Sequence, residues 1–136
     1  MGHSGKIGTM DHTAPFALCA ADAVLTPDEL DPAQIVSGAP RVASAVLHES
    51  PAAGPGGRAV ERGVWEITPG VVTDVEGDEL FVVLSGRATI EVEGGPTLVV
   101  GPGDVAVLPE GAVTRWTVHE TLRKVYQITA AAGDEA

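Results

Sequence analysis

From Arg58 onward the sequence consists of short apolar and β-branched runs separated by turns that contain glycine or proline. Clear turns are Pro69-Gly70, Gly94-Gly95, Gly101-Pro102-Gly103 and Pro109-Glu110-Gly111. The predicted strands, with one earlier run at 42–47, are 64–68, 80–84, 87–93, 97–100, 105–108, 112–118 and about 122–129. This spacing leaves no room for the crossover helices of a parallel sheet, so it predicts an all-β sandwich or barrel.

Two of these runs differ in their hydrophobic pattern. Residues 87–93 alternate, with Arg87, Thr89 and Glu91 on one face and Ala88 and Ile90 on the other, which is typical of a strand with one buried face. Residues 80–84 are nearly all apolar, which predicts a strand that is covered on both faces.

The residues before the barrel read differently. Residues 1–9 are predicted to be a vector-derived tag, residues 10–40 an irregular arm, residues 41–130 the barrel and residues 131–136 a polar tail. Within the arm, Thr26 followed by Pro27 and by Glu29 has the form of a helix N-terminus with a capping box. The arm is therefore predicted to contain one short helix.

Charge limits the kinds of partner. The chain has 8 Lys and Arg against 19 Asp and Glu, a formal net charge of -11, so neither nucleic acid nor a membrane surface is an expected partner. Cys19 is the single cysteine, which excludes an intrachain disulfide and fits a reducing compartment. The sequence shows neither a run of about 20 apolar residues nor a signal-peptide pattern, so a cytoplasmic location is expected.

Two segments resemble the motifs of the cupin superfamily. Residues 103–111, from Gly103 through Pro109 to Gly111, match the start of the motif G-x5-P-x-G-x2-H-x3-N, and Glu79 precedes Gly86 as in H-x-H-x3,4-E-x6-G. Residues 63–70 and 116–126 are similar to the small cupins of the ureidoglycine aminohydrolase and ethanolamine-utilisation type. The resemblance covers nearly all of residues 32–128 and implies a cupin fold, a jelly-roll barrel built as a double-stranded β-helix.

The resemblance also shows where this chain departs from the family's metal ligands. The two histidines of the first motif fall at Thr73 and Val75 or, with the longer spacing, at Val72 and Asp74, and those of the second motif fall at Thr114 (histidine) and Val118 (asparagine). Glu79 alone is retained. His3, His12, His48 and His119 lie outside the motif positions. Because a first-row metal needs several converging nitrogen donors, we expect no metal site and no cofactor.

Strand alternation decides which candidates share a face, and they form a pocket if Glu79 points into the barrel. The final strand of a cupin can line either the pocket or the packing face, so both positions stay open for Lys124 and Tyr126. Glu79 shares a face with Phe81, Thr114 shares one with Trp116, and Lys124 shares one with Tyr126. A buried Glu79 can act as a general acid or base, Lys124 can pair with it or bind a carboxylate, and Tyr126 can donate a hydrogen bond. The predicted catalytic residues are Glu79, Lys124 and Tyr126, and the predicted ligand-binding residues are Thr73, Thr114, Trp116, Trp65 and Phe81.

Each candidate also has a purely structural interpretation. Glu79 can be a structural acceptor, Trp65 and Trp116 can be core residues, and Thr73 and Thr114 need no function in a strand. Three functions therefore stay open. The first is a metal-independent cupin that binds a small polar metabolite, one that carries nitrogen or a carboxylate, with or without acid–base chemistry on it. The others are a non-catalytic accessory protein for a partner enzyme and a residual metal enzyme that uses Glu79. Because many cupins exchange strands between subunits, the arm also predicts a homodimer.

Overall fold

The computed structural model describes residues 14–131, so the predicted tag at 1–9 and the tail from residue 132 onward lie outside the described part. Within that part, nine strands form one curled antiparallel sheet. They are β1 Thr26–Asp28, β2 Ile35–Gly38, β3 Val42–Ser50, β4 Arg58–Ile67, β5 Gly70–Val75, β6 Asp78–Val92, β7 Thr97–Val100, β8 Val105–Leu108 and β9 Val113–Ala131. None of the helical segments within residues 14–131 has the length and apolar character needed to cross a membrane.

Two long strands organise the sheet. β9 pairs with β6 along most of its length, and on its other edge it pairs first with β5 and then with β4. β6 carries β7 and β8 on its far edge. The full order along the other side is β1-β3-β4-β9-β5-β2, so the arm strands β1 and β2 form the two ends of this path.

The predicted strands at 80–84 and 87–93 are halves of β6, and those at 112–118 and 122–129 are halves of β9. The register of β6 against β9 shifts between Val83 and Ala88, which is a bulged region around Ser85 and Gly86. The sequence suggested an interruption there because glycine ends many strands, but a bulge bends a strand without ending it.

The burial pattern confirms one prediction for β6 and corrects another. Ala88 and Ile90 are fully buried while Arg87 and Glu91 are exposed, as the alternation predicted. The expectation that residues 80–84 are covered on both faces is wrong, because the Leu80 side chain is 45% exposed. β8 pairs with β6 at its edge and covers neither face, so the outer face of β6 stays open.

The predicted helix at Thr26 is also wrong. Thr26–Asp28 forms β1, which pairs with β3, and the Ser44 hydroxyl donates a 2.6 Å hydrogen bond to the Asp28 carboxylate. This partner lies in another strand, so the local capping pattern could not reveal it. Short 3-10 turns occur instead at Ala20–Asp22 and Pro32–Gln34, and the Asp31 carboxylate caps the second by accepting from the Ala33 N–H at 2.9 Å.

Arg123 fixes the beginning of the arm to the outside of the barrel. Its Nη1 donates to the backbone carbonyl oxygens of Ala20, Ala21 and Ala23 at 3.0–3.1 Å. Its Nε donates to the Glu66 carboxylate at 3.0 Å. Because the guanidinium is partly buried and holds several acceptors at once, it orders a segment that lacks apolar anchors of its own.

The core fills the inside of the barrel. It includes Trp65 and Ile67 of β4, Phe81, Val83 and Ile90 of β6, and Trp116, Leu122 and Tyr126 of β9. Leu30 and Ile35 of the arm pack against this core from the end of the barrel. Residues 29–34, here called the mouth segment, therefore close that end.

We expect Gly86→Ala to destabilise the protein far more than Gly103→Ala. Both glycines have a positive φ, +85° and +88°, so both substitutions strain the backbone by about 1 kcal/mol or more. A Cβ at Gly86 would also lie 2.0 Å from the Thr121 carbonyl oxygen, whereas a Cβ at Gly103 meets nothing within 4 Å. Urea unfolding should show a loss of about 3 kcal/mol or more for Gly86→Ala. Equal losses of stability in the two variants would contradict the close approach of β6 to β9 at Gly86.

Candidate functional site

A buried ion pair lies in the middle of the barrel. Lys124 Nζ is 2.6 Å from Glu79 Oε2, and the two side chains are 1% and 2% exposed. Lys124 comes from β9 and Glu79 from the beginning of β6. Because removing both charges from water costs several kcal/mol per ion, the pair needs further compensation from its surroundings.

Three aromatic rings supply that compensation. Lys124 Nζ lies 4.4 Å from the ring centroid of Trp65, 4.4 Å from that of Phe81 and 5.0 Å from that of Trp116. Trp65 and Trp116 meet edge to face at 5.9 Å and 65°. An ammonium within about 6 Å of an aromatic face is attracted by the ring quadrupole, and more strongly when water is excluded. We call Glu79, Trp65, Phe81 and Trp116 the ammonium box.

A second buried carboxylate, Glu76, borders the ammonium box. The Thr114 hydroxyl donates to Glu76 Oε2 at 2.6 Å, and the Trp116 indole N–H donates to the same oxygen at 3.2 Å. Burial raises the pKa of Glu76, although the hydrogen bond from Thr114 opposes that shift. Sequence reasoning missed Glu76 because it lies in the turn between β5 and β6, at a spacer position of the first motif to which no ligand role is assigned. Its position three residues before Glu79 was the available signal.

A small cavity of about 10 Å³ lies between the barrel and the mouth segment, with room for about one water molecule. We call it the mouth cavity; its lining residues are Leu30, Gln34, Trp65, Ile67, Val72, Thr73, Asp74 and Trp116. The Trp65 indole N–H and Asp74 Oδ2 are buried without a hydrogen-bond partner. A buried polar atom left unpaired costs about 1–3 kcal/mol. These two atoms are therefore a donor and an acceptor available to a bound group.

Gln34 closes the mouth cavity. Its Nε2 donates to the Thr73 carbonyl oxygen at 3.0 Å and to Asp74 Oδ1 at 3.2 Å, and Asp74 Oδ1 also accepts from the Val75 N–H at 2.9 Å. Burial raises the pKa of Asp74. The Gln34 side chain thus binds one carboxylate oxygen of Asp74, while the other oxygen has no hydrogen-bond partner.

The structure brings most of the predicted site residues together. Glu79, Lys124, Trp65, Phe81 and Trp116 meet in one cluster, Thr114 joins it through Glu76, and Thr73 lies at the mouth cavity.

Tyr126 has a different partner. Its hydroxyl donates to Glu61 Oε2 at 2.7 Å, and Tyr126 does not line the mouth cavity. Burial, together with that hydrogen bond, raises the pKa of Tyr126 far above its usual range, so the phenol stays neutral and can only donate or accept hydrogen bonds.

The residues present do not fit the metal centre that the family motif implies. Within residues 14–131, no three His, Cys, Asp or Glu side chains are arranged to hold a metal ion. Glu79, the retained ligand, is paired with an ammonium instead. His48 contacts Arg62 and His119 contacts Thr89, while His3 and His12 lie outside the described residues. Metal independence of the function remains a prediction.

We expect Glu76→Gln to change how stability depends on pH. The pKa of Glu76 is raised in the folded protein above 4.5, so as pH rises the unfolded chain releases this proton first. The carboxyl therefore stabilises the fold fully below pH 4.5, and that contribution is lost progressively as pH approaches the folded pKa. A glutamine keeps an oxygen for Thr114 and Trp116 but has no proton to release.

Urea unfolding from pH 4.5 to about pH 8 measures this effect. Relative to the unmodified protein, the free energy of unfolding of Glu76→Gln should increase as pH rises. Glu91→Gln, an exposed change on β6, is the matched control and should show no such trend. Parallel pH profiles for the two variants would mean that Glu76 is not the titrating group.

Comparison with known proteins agrees with the fold and with the motif resemblance. A DUF861-family protein of unknown function from Pseudomonas syringae pv. tomato is 30% identical, with a TM-score of 0.68, over 80% of this chain and 45% of that chain. This chain thus spans less than half the length of that relative. A comparison with curated proteins found no match.

Two EutQ proteins share the fold at lower identity. EutQ from Clostridium difficile is 18% identical over 78% of this chain and 82% of that chain, with a TM-score of 0.56. A putative ethanolamine utilization protein Q from Salmonella typhimurium is 20% identical over 65% and 68%, with a TM-score of 0.53. The model of the EutQ-like cupin domain matches residues 55–126. The cupin fold is therefore confirmed, and the chain belongs to the EutQ-like cupin family.

Proposed function

We propose that this cupin binds a small polar molecule at the mouth of its barrel without the help of a metal. The observation that carries the proposal is the pair of unpaired buried atoms at the mouth cavity, the Trp65 indole N–H and Asp74 Oδ2. A ligand that pairs both atoms would recover the free energy that their isolation costs. Aromatic walls with a few converging polar groups are the usual form of a small-molecule site.

Charge and hydrogen-bonding capacity narrow the class of ligand. Asp74, Glu76 and Glu79 are acidic and lie near one another, and Lys124 is a cation that faces all three. This balance disfavours an anion such as a free carboxylate. The indole N–H needs an acceptor and the carboxylate oxygen needs a donor. The ligand is therefore a neutral or cationic nitrogen compound that also carries a carbonyl or hydroxyl oxygen.

The size of the mouth cavity limits what can enter the closed barrel. At about 10 Å³ it admits one small polar group. A larger ligand needs displacement of the mouth segment, which is held by the hydrogen bonds of Gln34 and by the packing of Leu30 and Ile35. None of these contacts is an ion pair, so the mouth segment is a weaker closure than the sheet that flanks it.

Acid–base chemistry on a bound ligand would begin at Asp74. It borders the mouth cavity, one of its oxygens is unpaired, and its raised pKa brings it closer to the range useful for proton transfer. Glu79 and Lys124 are paired with each other beneath the aromatic rings, so their role in this proposal is to hold Trp65 and Trp116 in place. A protein that binds the ligand and leaves it unchanged would be the non-catalytic alternative.

Nuclear magnetic resonance of the two tryptophan indoles tests the proposal directly. Titration with glycinamide or ethanolamine should shift the Trp65 indole N–H signal saturably, because its hydrogen-bond state changes. The Trp116 indole is already bonded to Glu76 and serves as an internal control with a smaller shift. Glycolate, which is anionic, should bind at least about tenfold more weakly.

Asp74→Asn tests the acceptor in the same titration. It removes the charge while keeping the shape, and we expect it to weaken binding of the cationic probes by about tenfold. Glu93→Gln, an exposed change at the β6–β7 hairpin, should leave binding unchanged. An unmoved Trp65 signal with every probe, or equal affinity in Asp74→Asn, would refute a nitrogen ligand at the mouth cavity.

We also propose that the chain forms a homodimer through the outer face of β6 and β8. On that face Leu80, Val105 and Val107 are 45%, 61% and 58% exposed, and Leu80 lies opposite Val107 in the register. Contiguous exposed apolar side chains of this kind mark interaction surfaces. The arm is occupied on its own barrel through β1 and β2, so this face is better supported as the contact than strand exchange.

Light scattering of the protein and of Val107→Lys tests the dimer. The unmodified protein should have about twice the 13.9 kDa chain mass, and Val107→Lys should shift it toward the monomer because a buried, unpaired lysine is costly. Val99→Lys, the same change at another exposed strand position, is the matched control and should remain dimeric. A monomeric unmodified protein would end the proposal.

A further inference from the structure

The barrel of this cupin contains a cation although its metal-ligand positions are lost. The positions that the first motif assigns to histidine hold Thr73 and Val75 or, with the longer spacing, Val72 and Asp74, and the second-motif histidine position holds Thr114. The one retained ligand, Glu79, is bonded to Lys124 Nζ at 2.6 Å. The positive charge beside the retained carboxylate is therefore an ammonium supplied by β9.

The surroundings of that ammonium are built for a cation. Three ring faces lie within 5.0 Å of Nζ, and Glu79 supplies the counter-charge. This combination of aromatic faces and one carboxylate is the arrangement by which proteins recognise ammonium ligands. An apolar side chain of the same volume would fill the space without desolvating two charges and would often be at least as stable. Filling of the core alone thus does not account for a lysine at this position.

We infer that Lys124 is a tethered cation that stands where the cupin motif implies a metal, and that the ammonium box is an alkylammonium-binding site which the chain fills with its own side chain. The inference does not depend on a ligand at the mouth cavity. Its physical content is that the box has affinity for a primary ammonium group as such, whether or not that group is attached to β9.

The box also influences the neighbouring acids. Lys124 lies close enough to Asp74 and Glu76 to lower the pKa of each, although desolvation outweighs this effect. A tethered ammonium therefore gives the barrel interior a positive charge whose presence does not depend on metal supply. A metal ion, by contrast, leaves when its ligands are protonated or when the metal is chelated.

Chemical rescue of Lys124→Ala tests the inference. The substitution removes three carbons and the ammonium, so n-propylammonium has the right size and charge to refill the box. We expect n-propylammonium to raise the melting temperature of Lys124→Ala saturably and to leave that of the unmodified protein unchanged. The neutral isostere 1-propanol should have little effect, and the double variant Glu79→Gln/Lys124→Ala should respond at least about tenfold more weakly.

A folded Lys124→Ala that responds equally to n-propylammonium and 1-propanol would overturn the inference. If Lys124→Ala does not fold, Lys124→Met keeps the volume and supplies the second measurement. Lys124→Met should raise the equilibrium constant for unfolding by about two orders of magnitude when Glu79 is present, and far less in the Glu79→Gln background. Equal losses of stability in both backgrounds would show that the charge of Lys124 does not interact with Glu79, and this would overturn the inference. Neither result depends on whether Trp65 and Asp74 bind a ligand.

Discussion

The antiparallel pairing of β6 with β9 determines where the buried ion pair of this protein lies. Each strand runs the length of the barrel, and their register places Phe81 opposite Tyr126 and Val83 opposite Lys124. Because side chains alternate along a strand, Glu79 and Lys124 then point into the same interior. The bulges near Gly86 let the two strands bend together around that interior. A slip of one residue would move the ion pair to the surface and turn exposed residues into the core.

The interior that results is unusual in its polarity. Few domains bury a lysine and two glutamates within one core, since such groups are almost always exposed unless they are paired. In this core several groups share the pairing. Glu79 forms an ion pair with the Lys124 ammonium, which the rings of Trp65 and Phe81 also attract. Glu76 accepts hydrogen bonds from Thr114 and Trp116. At the mouth cavity, by contrast, Trp65 and Asp74 each have one buried polar atom without a hydrogen-bond partner. The polar groups around Glu76 and Glu79 therefore have partners, whereas two polar atoms at the mouth of the barrel do not.

The sequence was a good guide wherever local pattern decides the structure. Strand alternation predicted that Phe81 shares a face with Glu79 and that Trp116 shares one with Thr114, and turn residues located most strands. It failed where the deciding partner lies far along the chain. Thr26 became a strand residue because β3 offered an edge, and Tyr126 bonds to Glu61 because β4 lies beside β9.

Glu76 and the size of the cavity were beyond the sequence for related reasons. Glu76 occupies a spacer position of the first motif, which assigns it no role, and its hydrogen-bond partner Thr114 lies far along the chain. The volume left inside a barrel depends on how all side chains and the arm pack together, which no single segment encodes.

The two arm strands have a consequence for how quickly the barrel interior can exchange with solvent. β1 is attached to one end of the strand path and β2 to the other, so residues 29–34 form a bridge anchored at both feet. Such a bridge can lift without detaching either edge of the sheet. For the small polar molecule proposed to bind at the mouth cavity, opening of this bridge would be a unimolecular step before binding, so the observed rate of association would level off at high ligand concentration. The rate at which the arm opens would then limit how fast a molecule reaches the interior of the barrel.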